Sequence, residues 1–474
     1  MSNKRAVRWS LVWLSVAALS FGASVICLAE TAGPQPLTLD QAIQIAMENN
    51  LQRRMAEQDL RVAQDKVAQA NSAYYPKLTL SGGVSRLNDQ PSLVKVARNL
   101  AALNNGIDKM ADLLALSNMS DTYAPYYQAM AAQLNQAELP SDGLTYSSIQ
   151  LHLEQPLYTG NKLTATNKLA KANELSAKAG LDAADQSLVL DVKRAYFTVL
   201  MAQQMERTMA EAVADMEHHL VEANAYFKAG MVPKLDVMRA EVKLADLKQK
   251  ELLVQNNLDL AKTAFNFILG VDLGMAYTLA DTINYHPLAA DLPTCQQQAI
   301  ANRPEVAAVS AKVAMARQGV EVVKSAGKPV VALVADGHRT EPVNDTPTLS
   351  VGLVARMTLI DGGMVKNQVA EAEDTLKKAE TGLELTQRAV KLEVEQAYRN
   401  TQVALATIKV AEQSMAQAQE TVRMAEVSYK AGLSTSLERI DAEVGLTQAK
   451  TNYTQALSMY NIALAQLERA MGVQ

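Results

Sequence analysis

The feature that most constrains this chain is an internal duplication. Phe227-Lys-Ala-Gly230 returns as Tyr429-Lys-Ala-Gly432, a shift of 202 residues. The same shift carries Leu157 and Gly160 onto Leu359 and Gly362, Tyr196 onto Tyr398, Ala240-Glu-Val242 onto Ala442-Glu-Val444, and Gly270-Val271 onto Gly472-Val473. Upstream the shift is 253, which places Ala46, Asn49 and Pro76 on Ala299, Asn302 and Pro329. The difference, 253 − 202 = 51 residues, is an insertion in the first copy, within about 87–143. A chain built twice on one plan must fold as two similar units that share or face a common core.

Each copy reads helix, strand, strand, long helical hairpin. Thr38-Leu-Asp-Gln41 and Thr294-Cys-Gln-Gln297 both fit the capping-box pattern, so each is expected to open a helix that ends before a proline, Pro76 or Pro329. Apolar residues then alternate with polar ones: Leu78, Leu80 and Val84, then Ile149, Leu151 and Leu153. In the second copy the series is Val331 and Leu333, then Leu349, Val351, Leu353, Met357 and Leu359. Period-two alternation gives strands with one apolar and one polar face. An ordinary half-buried sheet has the same pattern.

No proline lies between Pro156 and Pro233, or after Pro347. From Lys162 to Phe227 this allows an unbroken helix of roughly 100 Å. Positions 188, 195, 202, 209, 216 and 223 are Leu, Ala, Ala, Met, Met and Ala. Their partners at 192, 199, 206, 213, 220 and 227 are apolar except Glu206. Alanine recurs every seven residues from Ala397 to Ala425 and again from Ala442 to Ala470. Such heptads predict left-handed coiled coil, and small seam residues let the backbones approach closely. That agrees with a composition that is 49% hydrophobic but only 5% aromatic.

The first 29 residues read as a cleaved export signal: Lys4, Arg5 and Arg8, an apolar run from Leu11 to Ile26, then Cys27-Leu-Ala29. The alternative is an uncleaved anchor. Lipid attachment at Cys27 is disfavoured by Ile26, and the mature chain then keeps only Cys295, which permits no internal disulfide. No later run approaches about 18 apolar residues, so a membrane crossing requires a closed β-barrel. Four strands cannot close one, because the smallest membrane barrels have about eight. The strands are therefore expected to join those of other copies. A trimer is the simplest solution, and the pattern alone also permits a dimer or tetramer.

Several motifs, in the right order, resemble the TolC-like outer-membrane efflux proteins. They are Leu37-Thr-Leu-Asp-Gln-Ala-Ile-Gln-Ile-Ala-Met-Glu-Asn-Asn50, Ala299-Ile-Ala-Asn-Arg-Pro-Glu305, Gln155-Pro-Leu-Tyr-Thr-Gly160, Thr358-Leu-Ile-Asp-Gly-Gly363 and Tyr429-Lys-Ala-Gly-Leu-Ser-Thr-Ser-Leu-Glu-Arg-Ile-Asp-Ala442. The resemblance spans essentially the whole chain after the signal. It implies a mainly α fold with membrane β: an internally duplicated protomer of a homotrimer, whose four strands enter a 12-stranded outer-membrane barrel and whose hairpins form an α-barrel in the periplasm. The expected units are a signal peptide at 1–29, a first repeat at 30–271, a linker at 272–293 and a second repeat at 294–474.

The same resemblance implies a passive exit duct for efflux or type I secretion, not an enzyme. It implies contact with outer-membrane lipid, a periplasmic adaptor and an inner-membrane RND or ABC transporter. With the hairpins in the periplasm, the inserted segment is expected outside the cell, where it is a tolerated surface insertion or else decorates the mouth or folds over it. Residues match the family position by position at the second hairpin tip. Glu438 and Asp441 fall on the acidic ring of the periplasmic gate, although Thr435-Ser-Leu-Glu438 is itself a capping box. Asp236 and Tyr429 fall on a polar latch whose arginine and threonine are here Ser434 and Leu235. Gly230 and Met231, with Gly432 and Leu433, fall on the adaptor-facing turns.

Nothing else in the chain suggests chemistry. His218 and His219 are adjacent and do not share a helix face, and His152, His286 and His338 lack ligand spacing, so no metal or other cofactor is expected. Gly362-Gly363 lacks the lysine of a phosphate loop. A net charge of −5 without a basic face gives no footprint for nucleic acid. The competing architecture is a periplasmic coiled-coil assembly without a pore.

Overall fold

The computed structural model describes residues 36–87, 144–285, 290–341 and 344–473. The expected export signal and almost all of the inserted segment lie outside them. In chain order the elements are β1 (Pro36–Leu37), α1 (Leu39–Asn49), α2 (Leu51–Ser72), β2 (Lys77–Leu87), β3 (Leu144–Tyr158), α3 (Lys162–Lys228) and α4 (Lys234–Leu269). The second half continues with β4 (Thr278–Leu279), α5 (Leu292–Asn302), α6 (Pro304–Lys324), β5 (Val330–Glu341), β6 (Asn344–Arg356), α7 (Met364–Lys430) and α8 (Ser436–Met471).

Two helices of 67 residues dominate. Their heptad positions are where the packing is: Leu188, Val192, Val199, Ala202, Val213, Met216 and Ala223 are buried on α3, as are Ala449, Ala456, Ala463 and Ala470 on α8. The chain packs α3 against α4 and α7 against α8, and α3 also lies along α8, which joins the two copies. Each long helix starts at a left-handed residue, Asn161 or Gly363. Beside it the Thr159 hydroxyl accepts the Leu163 N–H at 3.3 Å, and the Asp361 carboxylate accepts the equivalent Val365 N–H at 2.8 Å.

Three expectations need correction. The first helix of each copy is not continuous: it breaks at Asn50, and again at Arg303. Asn50 turns its carboxamide oxygen to the Gln52 and Arg53 N–H groups, a local bond that competes with the helix. Arg303 precedes Pro304, whose ring disfavours helical backbone in the residue before it. The N-cap of α5 is Asp291, not Thr294; its carboxylate accepts the Thr294 N–H, and Pro293 occupies the first turn. The Thr38 capping box is present as expected. Finally, β6 ends at Arg356, so Met357 and Leu359 continue the alternation in sequence but lie beyond the strand.

The four longer strands form one antiparallel sheet in the order β2-β3-β5-β6. Register puts Leu80 opposite Leu151, Ala335 opposite Val351, and Leu333 opposite Leu353. One face therefore carries Leu78, Leu80, Val84, Ile149, Leu151, Leu349, Val351 and Leu353, all exposed. The other carries Thr79, His152, Asp336 and Ser350, among which His152 Nδ1 meets the Asp336 carboxylate at 2.6 Å. The strands at either end, β2 and β6, each have one neighbour. No helix among the described residues is long and apolar enough to cross a membrane.

At each helix break the returning hairpin meets the chain backbone to backbone. Gly270 and Gly472 both have positive φ, and a Cβ there would lie 2.7 Å from the Asn49 carbonyl oxygen or 2.8 Å from the Asn302 carbonyl carbon. The same carbonyl is satisfied in each copy: Asn50 Nδ2 donates to Ile268 O at 3.0 Å, and Arg303 Nη1 to Ala470 O at 3.3 Å. Arg303 is buried and also paired with Glu305 and Glu393, to which Arg469 bonds as well. Replacing Gly270 or Gly472 by alanine is expected to destabilise the protein by about 2 kcal/mol or more, through strain and backbone collision. Gly382→Ala, at a helical site with nothing within 4 Å, should be neutral or stabilising. Thermal unfolding of the purified variants checks both.

Candidate functional site: the hairpin ends

The two hairpins turn in the same way. Gly230, at φ 72°, lets Met231 N–H reach Tyr226 O at 2.9 Å while Gly230 N–H bonds Phe227 O. Gly432, at φ 71°, repeats this with Leu433 N–H to Ser428 O and its own N–H to Tyr429 O. These are Schellman caps, and they project Met231 and Leu433 into solvent at 71% and 84% exposure. Between the hairpins, Leu235, Met238, Val242, Leu437, Ile440 and Val444 line an open groove of about 710 Å³ with Asp441 at its border.

Behind the groove lies a buried polar seam between the copies. Arg439, in the first turns of α8, bonds the Glu222 carboxylate of α3 and, at 3.0 Å, the Glu443 carboxylate of its own helix. Its guanidinium carbon stands 5.6 Å from the centre of the Tyr429 ring. His219 is fully buried; its Nε2 is 2.8 Å from the equally buried Ser436 hydroxyl, and its ring meets Tyr429 edge-on at 5.5 Å. Tyr226 packs on the other tyrosine at 5.9 Å.

Electrostatics follow from this crowding. Burial, and then the Arg439 charge, hold the His219 imidazole down at about 4. Burial pushes the Glu443 carboxyl up although Arg439 opposes it. Burial followed by the Asp236 charge raises the Tyr429 hydroxyl. Burial works against the charge on Arg439, but Glu222 and Glu443 outweigh it and keep the guanidinium protonated. His219 Nδ1, Tyr429 Oη and Glu443 Oε2 are the buried side-chain polar atoms among the described residues that have no hydrogen-bond partner, and all three sit in this seam.

A family model described as outer membrane efflux protein matches residues 42–271 and 295–473. The chain belongs to the outer membrane efflux protein family. It is similar to outer membrane protein TolC of Salmonella enteritidis, 24% identical over 430 residues that cover 83% of this chain and 84% of the relative. It is similar too to the alkaline protease secretion protein AprF of Pseudomonas aeruginosa, 24% identical over 333 residues, 68% of this chain and 69% of that one. Among solved structures, CusC gives a TM-score of 0.73 at 16% identity over 94% of this chain and 96% of that one. VceC of Vibrio cholerae gives 0.69 at 17% identity, over 92% and 96%. An outer-membrane channel fold, helical hairpins joined to membrane strands, is thereby shown, and so is an outer-membrane location.

For an outer membrane efflux protein, the gate positions named from sequence are placed as follows. Glu438 and Asp441 are both exposed on the first turns of α8. Glu438 accepts the Thr435 N–H at 2.9 Å and so completes a capping box, whereas Asp441 borders the groove. Asp236 and Tyr429 are not joined by a hydrogen bond: Asp236 lies 3.9 Å from Arg239, and the Tyr429 hydroxyl is unpartnered. Ser434 bonds back to Ala425 O.

The buried ion-paired arginine that sequence reasoning passes over is Arg439. A cation in the first turns of a helix opposes the helix dipole, which is a signal that it has a specific carboxylate partner. Its counterpart in the first copy is Val237, also buried, so the helix pairing itself does not require a charge there. Truncating Arg439 to alanine leaves two carboxylates in the seam without their cation and is expected to cost about 3 kcal/mol. Arg439→Lys should recover part of it, as read by thermal unfolding.

Proposed function

We propose that three copies of this chain close one outer-membrane channel, a passive exit duct for a tripartite efflux or type I secretion system. The observation that carries this is the four-stranded sheet, apolar on one outward face and open at both ends. In lipid an open edge leaves backbone N–H and C=O groups unpaired. Joining β2 of one copy to β6 of the next removes every edge, and three copies make twelve strands.

The helices also call for neighbours. Val403, Val410 and Met424 on α7, and Leu253, Leu260 and Phe267 on α4, are exposed at heptad spacing. Packing such stripes between copies extends the barrel as a helical tunnel. In this reading the duplicated units are 30–271 and 294–474, with 272–293 between them. Met231 and Leu433 at the turns meet a periplasmic adaptor, which links the duct to an inner-membrane RND or ABC transporter. AprF is named for protease secretion, which supports an export role without fixing the cargo.

The protein is expected in the outer-membrane fraction as a detergent-stable species of three chains that heat converts to one. A folded monomer that stays in solution without detergent would overturn the reading. At the tip, three-fold symmetry would gather Glu438 and Asp441 around one axis, a ring that attracts cations. Replacing both by alanine should weaken block by multivalent cations in single-channel recordings, with Asp441 contributing more because Glu438 is engaged in its cap. Unchanged block removes that assignment.

A further inference from the structure

The seam between α3 and α8 is costly as built. Leaving a polar group buried without a partner costs roughly 1–3 kcal/mol, and three such atoms converge here. A partly satisfied buried network is weaker than an apolar contact of the same size. The first copy has Val237 where the second has Arg439, so a quieter solution exists within the same chain. The seam is also the place where the second hairpin is tied to the first near its free end, through Arg439 to Glu222 and Ser436 to His219.

We propose that this seam is an acid-released clasp: at neutral pH uncharged His219, set against Ser436 and beside Arg439, holds α8 on α3, and proton uptake by its imidazole parts the two helices and widens the periplasmic end. The proposal rests on the channel reading above. Its chemistry is the cost of a buried charge, to which the like charge of Arg439 adds. Protonated His219 would be a second cation beside Arg439, buried where its charge loses solvation. Once the helices part, the imidazole is solvated and accepts the proton freely.

Every charged group around His219 has a defined sense. On its own helix Glu222 favours the imidazolium, and from α4 Asp236 does too. Arg439 on α8 opposes it more strongly than either. Glu443, also on α8, titrates in the contrary direction: its raised carboxyl takes a proton more readily in the closed seam, so acid favours closure there. Glu426 on α7 is held by Lys430 and adds to the field at Glu443, as does Asp215 of α3. Tyr429 stays neutral throughout this range.

The sign for His219 follows by linkage. Its closed-state value of about 4 lies below the ordinary 6.5. Stability of the clasp is therefore full above about 6.5 and lost progressively as pH falls toward 4. Each pH unit shifts the balance up to tenfold toward the parted seam, less whatever Glu443 restores.

Full-length protein in planar bilayers at pH 7.0 and pH 5.0 provides the test. The wild-type channel should spend at least about fivefold more time in its higher-conductance state at the lower pH. His219→Gln, which keeps a hydrogen bond to Ser436 but cannot titrate, should abolish that response. Glu443→Gln should enlarge it. An equal acid response in His219→Gln overturns the clasp and moves the effect to the exposed carboxylates of the tip. Spin labels at Lys228→Cys and Leu437→Cys give a readout that leaves the seam intact: the distance should lengthen at pH 5.0, and an unchanged distance overturns the proposal. If wild type forms no channel at either pH, the channel reading itself fails, and the label distance still judges the seam.

Discussion

A peptide group inside hydrocarbon has no solvent to bond with, and the architecture of this protein turns on that fact. Four strands with an apolar face and two free edges cannot be an end state in lipid. In the proposed channel the sheet is a segment of a wall whose remainder identical segments supply. The helices inherit this condition. In the proposed channel such a barrel is continued by many helices side by side, which fits seams built on alanine and the hydrophobic stripes left exposed on α4 and α7.

Duplication solves the supply problem economically. One helical hairpin and two strands are used twice, and the two uses are held in phase where Gly270 and Gly472 touch the helix breaks. Toward the other end of the hairpins the copies stop being equivalent. The turns remain alike, down to their hydrogen bonds, whereas Arg439 faces Val237 in the alignment and His219 faces Thr421. Symmetry is kept at the turns and given up in the buried seam between α3 and α8.

Much of this architecture is legible in the residues. The shift of 202, the heptads and the alternating strands locate the long helices and the sheet, because each rests on a periodicity that survives packing. Local competition was harder to read. Asn50 and Arg303 break helices through a side-chain bond and a following proline, and Asp291 takes a cap that Thr294 also fits. The polar seam was illegible for a different reason. His219 and Ser436, like Glu222 and Arg439, are 217 residues apart and meet only because α3 lies along α8. The turn glycines, being local, could be identified from the chain alone.

The unlike treatment of one carbonyl in the two copies has a consequence for how the two helix breaks tolerate their surroundings. Ile268 O is met by an uncharged carboxamide, and Ala470 O by a guanidinium that also anchors two carboxylates. Strong acid or chaotropic salt acts on the second arrangement and leaves the first nearly untouched. A chain built this way would soften first along the hairpin of its second half, while the hairpin of the first half stayed firm.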